Sequence, residues 1–188
     1  ITPLNKEQLF FSDAILHLFY NVLIVEAKAG SGKTLLALSG ALKLVRQKHF
    51  LKIIYIRNSI ESLDKGEDVG YLPGLEEKFR IYNHPLMDSL DYIIRSEHKR
   101  KRGRKAGDVI VPQLDDSEVT SRIEQMISNY GIETMWVGEM RGRTLSNSFI
   151  IIDEAQNMSN KTMQMVLSRI DSSCKVVVLG SNKQIDNF

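Results

Sequence analysis

A short apolar run, Val22 to Val25, leads into Ala27-Lys28-Ala29-Gly30-Ser31-Gly32-Lys33-Thr34, and Leu35, Leu38, Leu42 and Val45 follow at helical spacing. Strand, glycine-rich loop, helix: no other feature constrains the fold as much. Glycines let the backbone wrap closely enough for its N–H groups to converge on phosphate oxygens. The following helix aims its positive end at the same place. The expected nucleotide contacts are Ala29, Gly30, Ser31, Gly32, Lys33, Thr34 and Leu35. Lys33 is placed to bridge β- and γ-phosphates, and Thr34 to offer its hydroxyl to Mg2+. Ala27 stands where the strict pattern has glycine. The alternative, a plain turn before a helix, does not account for the strand in front.

Phe149 to Ile152 is a second continuous apolar run, and it ends in Asp153-Glu154. A strand buried on both faces that terminates in two carboxylates presents them at the binding edge of a parallel sheet. Asp153 is the expected holder of Mg2+, and Glu154 the base that orients and deprotonates an attacking water. A capping pair on a surface loop is the rival reading.

The remaining pattern alternates strands and helices. Ile53–Ile56, Met135–Val137 and Val176–Leu179 read as strands. Asn5 is a candidate helix cap with Gln8 in capping-box position, and Leu9, Ile15, Leu16 and Phe19 form its apolar stripe. Pro85 opens a helix, Gly131 ends another, and Ser159 caps a third. Val109–Val111 reads as a strand in a small insertion, which the family resemblance given below places at about 95–120. The expectation is one α/β domain over 1–188: a mostly parallel sheet of about five strands with helices on both faces.

The 188 residues are 43% hydrophobic and 26% charged, which excludes a disordered or collagen-like chain. No apolar run approaches the roughly 18–20 residues that span a bilayer. The single cysteine, Cys174, allows no internal disulfide, and the expected setting is a reducing cytoplasm. The net charge of +2 hides an uneven distribution, because six of the seven residues from Lys99 to Lys105 are basic and the rest of the chain carries −4. That run reads either as a nucleic-acid contact or as a solvated loop. No aromatic residues are interleaved for base stacking. Arg57, just past the second strand, is either a phosphate contact or surface charge.

Several motifs in order resemble the PhoH-like family of P-loop ATPases. They are Asp153-Glu154-Ala155-Gln156-Asn157, the preceding Arg141-Gly142-Arg143-Thr144-Leu145, the stretch from Glu67 to Lys78, and Gly180-Ser181-Asn182-Lys183-Gln184-Ile185-Asp186. The resemblance implies a RecA-like fold related to superfamily 1 helicases. It also implies an adenine-reading role for Gln8, γ-phosphate sensing by Gln184, and phosphate contacts by Arg141 and Arg143 across a subunit boundary. Ser181 stands where the family has aspartate, and Lys28 where it has proline. The chain starts at Ile1 and stops at Phe188, short of further family helices, so a piece of a longer protein is expected.

The resulting expectation is a Mg2+-dependent ATPase coupled to RNA or single-stranded nucleic acid, with no membrane partner, assembled as a homo-oligomer such as a hexameric ring. The rivals are an ATP-binding switch or scaffold with little hydrolysis, a small-molecule kinase, and a nucleic-acid-binding protein whose ATP site is secondary.

Overall fold

The computed structural model describes residues 1–57, 83–104, 114–140 and 142–181, with no side-chain placement at 101–104 and 139. Among the described residues five strands form one sheet: β1 (Val22–Glu26), β2 (Lys52–Arg57), β3 (Ile132–Met135), β4 (Ser148–Asp153) and β5 (Lys175–Gly180). Their order is β1-β5-β4-β2-β3, and every pairing is parallel. Among the described residues five helices accompany them: α1 (Lys6–Leu16), α2 (Lys33–Arg46), α3 (His84–Arg104), α4 (Asp116–Tyr130) and α5 (Asn160–Leu167). This is the α/β RecA-like architecture expected from the sequence.

Strand alternation divides the core. Ile53, Tyr55, Phe149, Ile151, Val177 and Leu179 face the side covered by α1 to α4. Ile54, Ile56, Ile150, Ile152, Val176 and Val178 face α5 and a 3-10 turn at Val137–Met140. Helices therefore cover both faces, which is why β4 is buried at all six positions. Gly40 sets the approach of α1 to α2, because a Cβ there would lie 2.2 Å from Ile15 Cγ2.

Several local expectations hold and several need correction. Gly131, left-handed at φ 56°, ends α4, and Ser159 caps α5 by accepting from Thr162 N–H. The third strand is Ile132–Met135, not Met135–Val137. Gly131 hands the chain directly into it, and Ile132 pairs with Ile53. The strand at 22–25 is not fully buried: among the described residues β1 is an edge strand, with Val22 and Ile24 exposed. In α1 only Ile15 is fully buried and Leu9 is exposed; the helix ends at Leu16, so Phe19 lies beyond it and is exposed as well. The basic run is not a loop over its first part, since α3 continues through Arg104. Lys105, the Val109–Val111 strand and the Glu67–Lys78 stretch lie outside the described residues.

Candidate nucleotide-binding site

The loop between β1 and α2 has the geometry of an anion cradle. Gly30 and Gly32 both sit in the left-handed region, at φ 71° and 80°. Gly32 caps α2 without a side-chain bond, and Leu36 N–H donates to Gly32 O at 2.9 Å. The N–H groups of the first helical turn before it therefore have no acceptor within the helix. Ser31 N–H closes a turn onto Lys28 O at 3.3 Å, and Ala27 N–H ties the loop to Gly180 O at 3.1 Å. The Ser31 Oγ is buried with no hydrogen-bond partner among the described residues. Lys33 is buried at 7% exposure.

Because all strands are parallel, Glu26, Asp153 and Gly180 end at the same edge of the sheet, beneath the N-terminus of α2. There Thr34 Oγ1 donates to Asp153 Oδ2 at 3.0 Å, across 119 residues of chain. The same oxygen accepts from Tyr55 Oη at 2.7 Å, and Asp153 Oδ1 accepts from Glu154 N–H at 3.0 Å. Asp153 is 1% exposed, so these three donors replace its water. Burial, then the charge of Asp153 and its hydrogen bond, push the Tyr55 phenol far above its ordinary pKa and keep it a donor.

Glu154 follows in the left-handed region at φ 52°, ψ 41°. Its carboxylate accepts from Gln156 Nε2 at 2.6 Å, and Gln156 Oε1 accepts from Ser181 N–H at 3.1 Å. An amide thus links the residue after β4 to the residue after β5.

Comparison with known proteins identifies the family. A family model described as PhoH-like protein matches residues 1–188. The PhoH-like protein of Mycobacterium leprae is 37% identical over 159 residues, covering 84% of this chain and 38% of its own length. The chain belongs to the PhoH-like family. A Bacillus subtilis PhoH-like protein is 33% identical over 159 residues, covering 84% of this chain and 41% of its own. Protein PhoH2 of Bacillus subtilis is 29% identical over 189 residues, covering all of this chain and 38% of its own. The chain therefore spans about two fifths of these relatives' length.

Membership of the PhoH-like family makes this a nucleotide-binding type of P-loop fold. The expected residues Gly30, Ser31, Gly32, Lys33 and Thr34 form the loop and the start of its helix, and Asp153 and Glu154 lie at the sheet edge beside them. Gln8 meets the capping reading in part and touches the loop. Asn5 Oδ1 accepts from Gln8 N–H at 2.8 Å, as a cap should. The reciprocal arm of the box is displaced, because Gln8 Oε1 accepts from Leu4 N–H at 2.7 Å and its Nε2 donates to Ser31 O at 2.9 Å. Arg57 pairs in register with Asp153 and is partly buried, so it is not simple surface charge. Arg143 is exposed just after the 3-10 turn. Arg141 and Gln184 lie outside the described residues.

Sequence reasoning missed Tyr55 and Gln156. A tyrosine inside Ile53-Ile54-Tyr55-Ile56 reads as packing, and its only distinguishing signal is a hydroxyl that must find a partner when buried. Among the described residues no helix is long and apolar enough to cross a membrane.

Proposed function

We propose that this chain binds ATP with Mg2+ and hydrolyses it, and that hydrolysis is coupled to RNA or single-stranded nucleic acid. The observation that carries the reading is the Thr34 Oγ1–Asp153 Oδ2 contact of 3.0 Å. It joins the phosphate loop to the carboxylate strand. The donor set is one hydroxyl and one carboxylate, hard oxygens that suit Mg2+, which keeps waters and takes phosphate oxygens for its other positions. The orphan Ser31 Oγ and the left-handed Gly30 and Gly32 fit a phosphate chain in the loop. When bound, Mg2+ supplies positive charge against the phosphate oxygens.

The chain's own residues do the rest. Backbone N–H groups of the loop and Lys33 hold the β- and γ-phosphates. Thr34 and Asp153 hold the ion. Glu154 orients a water and accepts its proton as the water oxygen bonds to the γ-phosphorus. The bond to the β–γ bridging oxygen breaks, and ADP leaves with the electron pair. Gln8 borders the loop as the base-reading residue. The exposed Arg143, with Arg141, supplies phosphate contacts to a neighbouring copy in a ring. The basic end of α3 faces the nucleic acid.

Phosphate release over many turnovers tests this. Glu154→Gln retains ATP binding and turns over at least ~10²-fold more slowly. Equal rates would remove Glu154 from the mechanism. Stimulation by RNA or single-stranded DNA tests the coupling. A second reading, an ATP-binding switch with little hydrolysis, draws on Ser181 in place of aspartate and on the Gln156 amide that already occupies Glu154. Stoichiometric binding without phosphate release would favour it.

A further inference from the structure

Beside the phosphate loop, on the side of α3, lies an open cavity of about 540 Å³. Gly30, Gly32 and Leu35 form one wall, Leu4 and Gln8 a second, and Tyr92, Ser96, Lys99 and Arg100 of α3 a third. We propose that this cavity takes the base and ribose of the nucleotide, with Tyr92 stacking on the base and α3 acting as the outer wall of the nucleotide site. The inference rests on the reading of the loop as a triphosphate site and extends it to a helix that the loop motif does not contain.

The arguments are positional and chemical. Gly30 and Gly32 belong to both the cradle and the cavity, so a ligand with phosphates in the cradle continues into this space. Tyr92, Ser96 and Lys99 recur at i, i+4 and i+7, which puts them on one stripe of α3. Tyr92 is 54% exposed and Leu4 87%, both on the cavity lining. An aromatic and an aliphatic side chain in one lining are what a planar heterocycle packs against. Gln8 has one donor and one acceptor position beyond its bonds to Ser31 and Leu4. Ser96 and Glu97, in the same lining, suit ribose hydroxyls. A second cavity of about 430 Å³, between α1 and β1, also reaches the loop, through Gln8, Ser31 and Lys33, but its aromatic residues are Phe10 and Phe11 of α1; it is the competing location.

Titration calorimetry with Mg2+ present, using ATP and inorganic tripolyphosphate as separate probes, tests the inference. Tyr92→Ala is expected to weaken ATP about tenfold, within the range measured for lost base stacking, and to leave tripolyphosphate unchanged. Tyr92→Trp restores ATP affinity, and Phe10→Ser changes neither. Tyr92→Ala with unaltered ATP affinity overturns the inference. So does an equal loss for both probes, or a loss of ATP affinity in Phe10→Ser alone. The loop reading survives those results as long as tripolyphosphate binds the parent and is lost in Lys33→Ala. A parent that binds neither probe ends the loop reading itself.

Discussion

Tyr55 Oη lies 2.7 Å from Asp153 Oδ2, two strands' side chains meeting under the start of α2. The same carboxylate oxygen holds Thr34, so the phenol fixes the orientation of a group that the phosphate loop also uses. Tyr55→Phe keeps the packing and removes one charge-assisted bond, a loss of about 1.5–3 kcal/mol in unfolding free energy. Loss of such an outer partner typically weakens metal affinity about 10–100-fold. Urea unfolding and Mg2+-dependent nucleotide titration check both. A variant unchanged in both would reduce Tyr55 to a packing residue. The raised phenol pKa keeps this stabilisation intact at neutral pH; it is complete below the ordinary tyrosine pKa of about 10 and is lost as pH rises from there through the folded value.

Glu154 holds a backbone conformation that costs an L-residue roughly 1–2 kcal/mol. Strain of this kind at a charged residue beside a phosphate loop is a mark of function over stability. Glu154→Ala and Glu154→Gly both delete the carboxylate and its bond to Gln156. Only glycine is free of the Cβ conflict, although it gains unfolded-state entropy. Glu154→Gly is therefore expected to be more stable than Glu154→Ala by about 0.5–1 kcal/mol, with neither variant hydrolysing ATP. Paired denaturation curves decide it, and an alanine variant equal to or better than glycine would contradict the strain argument.

The parts legible in the sequence were those whose physics is local. A glycine-rich loop between an apolar strand and an amphipathic helix needs no tertiary knowledge, and neither does the Phe149–Ile152 run ending in Asp153. What escaped was decided by neighbours. Met135-Trp136-Val137 looks more like a strand than Ile132–Met135 does, until Gly131 and the pairing of Ile132 with Ile53 set the register. Leu9 and Phe19 fit a stripe that the short α1 does not bury. Tyr55 was hidden by its apolar flanks, and the bonds of the Gln8 amide to Leu4 and Ser31 depend on where the loop folds back onto α1. Arg141 and Gln184 lie outside the described residues, so their roles rest on resemblance.

Lys175, at the start of β5, is buried at 1% exposure and ends the first helical segment from a distance. Its ammonium donates to the carbonyls of His17 at 2.8 Å, Tyr20 at 2.5 Å and Ala14 at 3.4 Å. Ala14 belongs to the last turn of α1 and His17 is its C-cap, while Tyr20 lies in the connection to β1, so the ammonium ties the helix end to the chain that follows it. Lys175→Met keeps the stem and strips the carbonyls, so a destabilisation of about 1–3 kcal/mol is expected. Burial lowers the Lys175 pKa, so the folded state binds this proton less tightly than the unfolded state does. The parent's stability relative to the Met variant should then rise with pH as it climbs through the folded value toward the ordinary lysine range. Chemical denaturation of both proteins across the alkaline range checks the slope, and a relative stability that falls with pH there would contradict the burial argument.

Asp115 caps α4 by accepting from Glu118 N–H at 2.7 Å and from Ser117 Oγ at 2.7 Å. The backbone bond first, then the hydroxyl, hold its carboxyl below the ordinary aspartate pKa. A depressed folded value means stability that is complete above the unfolded pKa and disappears as pH falls through the folded one. Asp115→Asn preserves an acceptor at the cap and deletes only the charge facing the helix N-terminus. The parent is expected to be the more stable of the two at pH 7, and the gap should shrink below about pH 4, where aspartate begins to protonate. Urea midpoints of the two proteins measured from neutral to acid pH give the comparison directly. A gap that stays constant through that window would mean the charge contributes nothing and the hydrogen bond alone holds the start of α4.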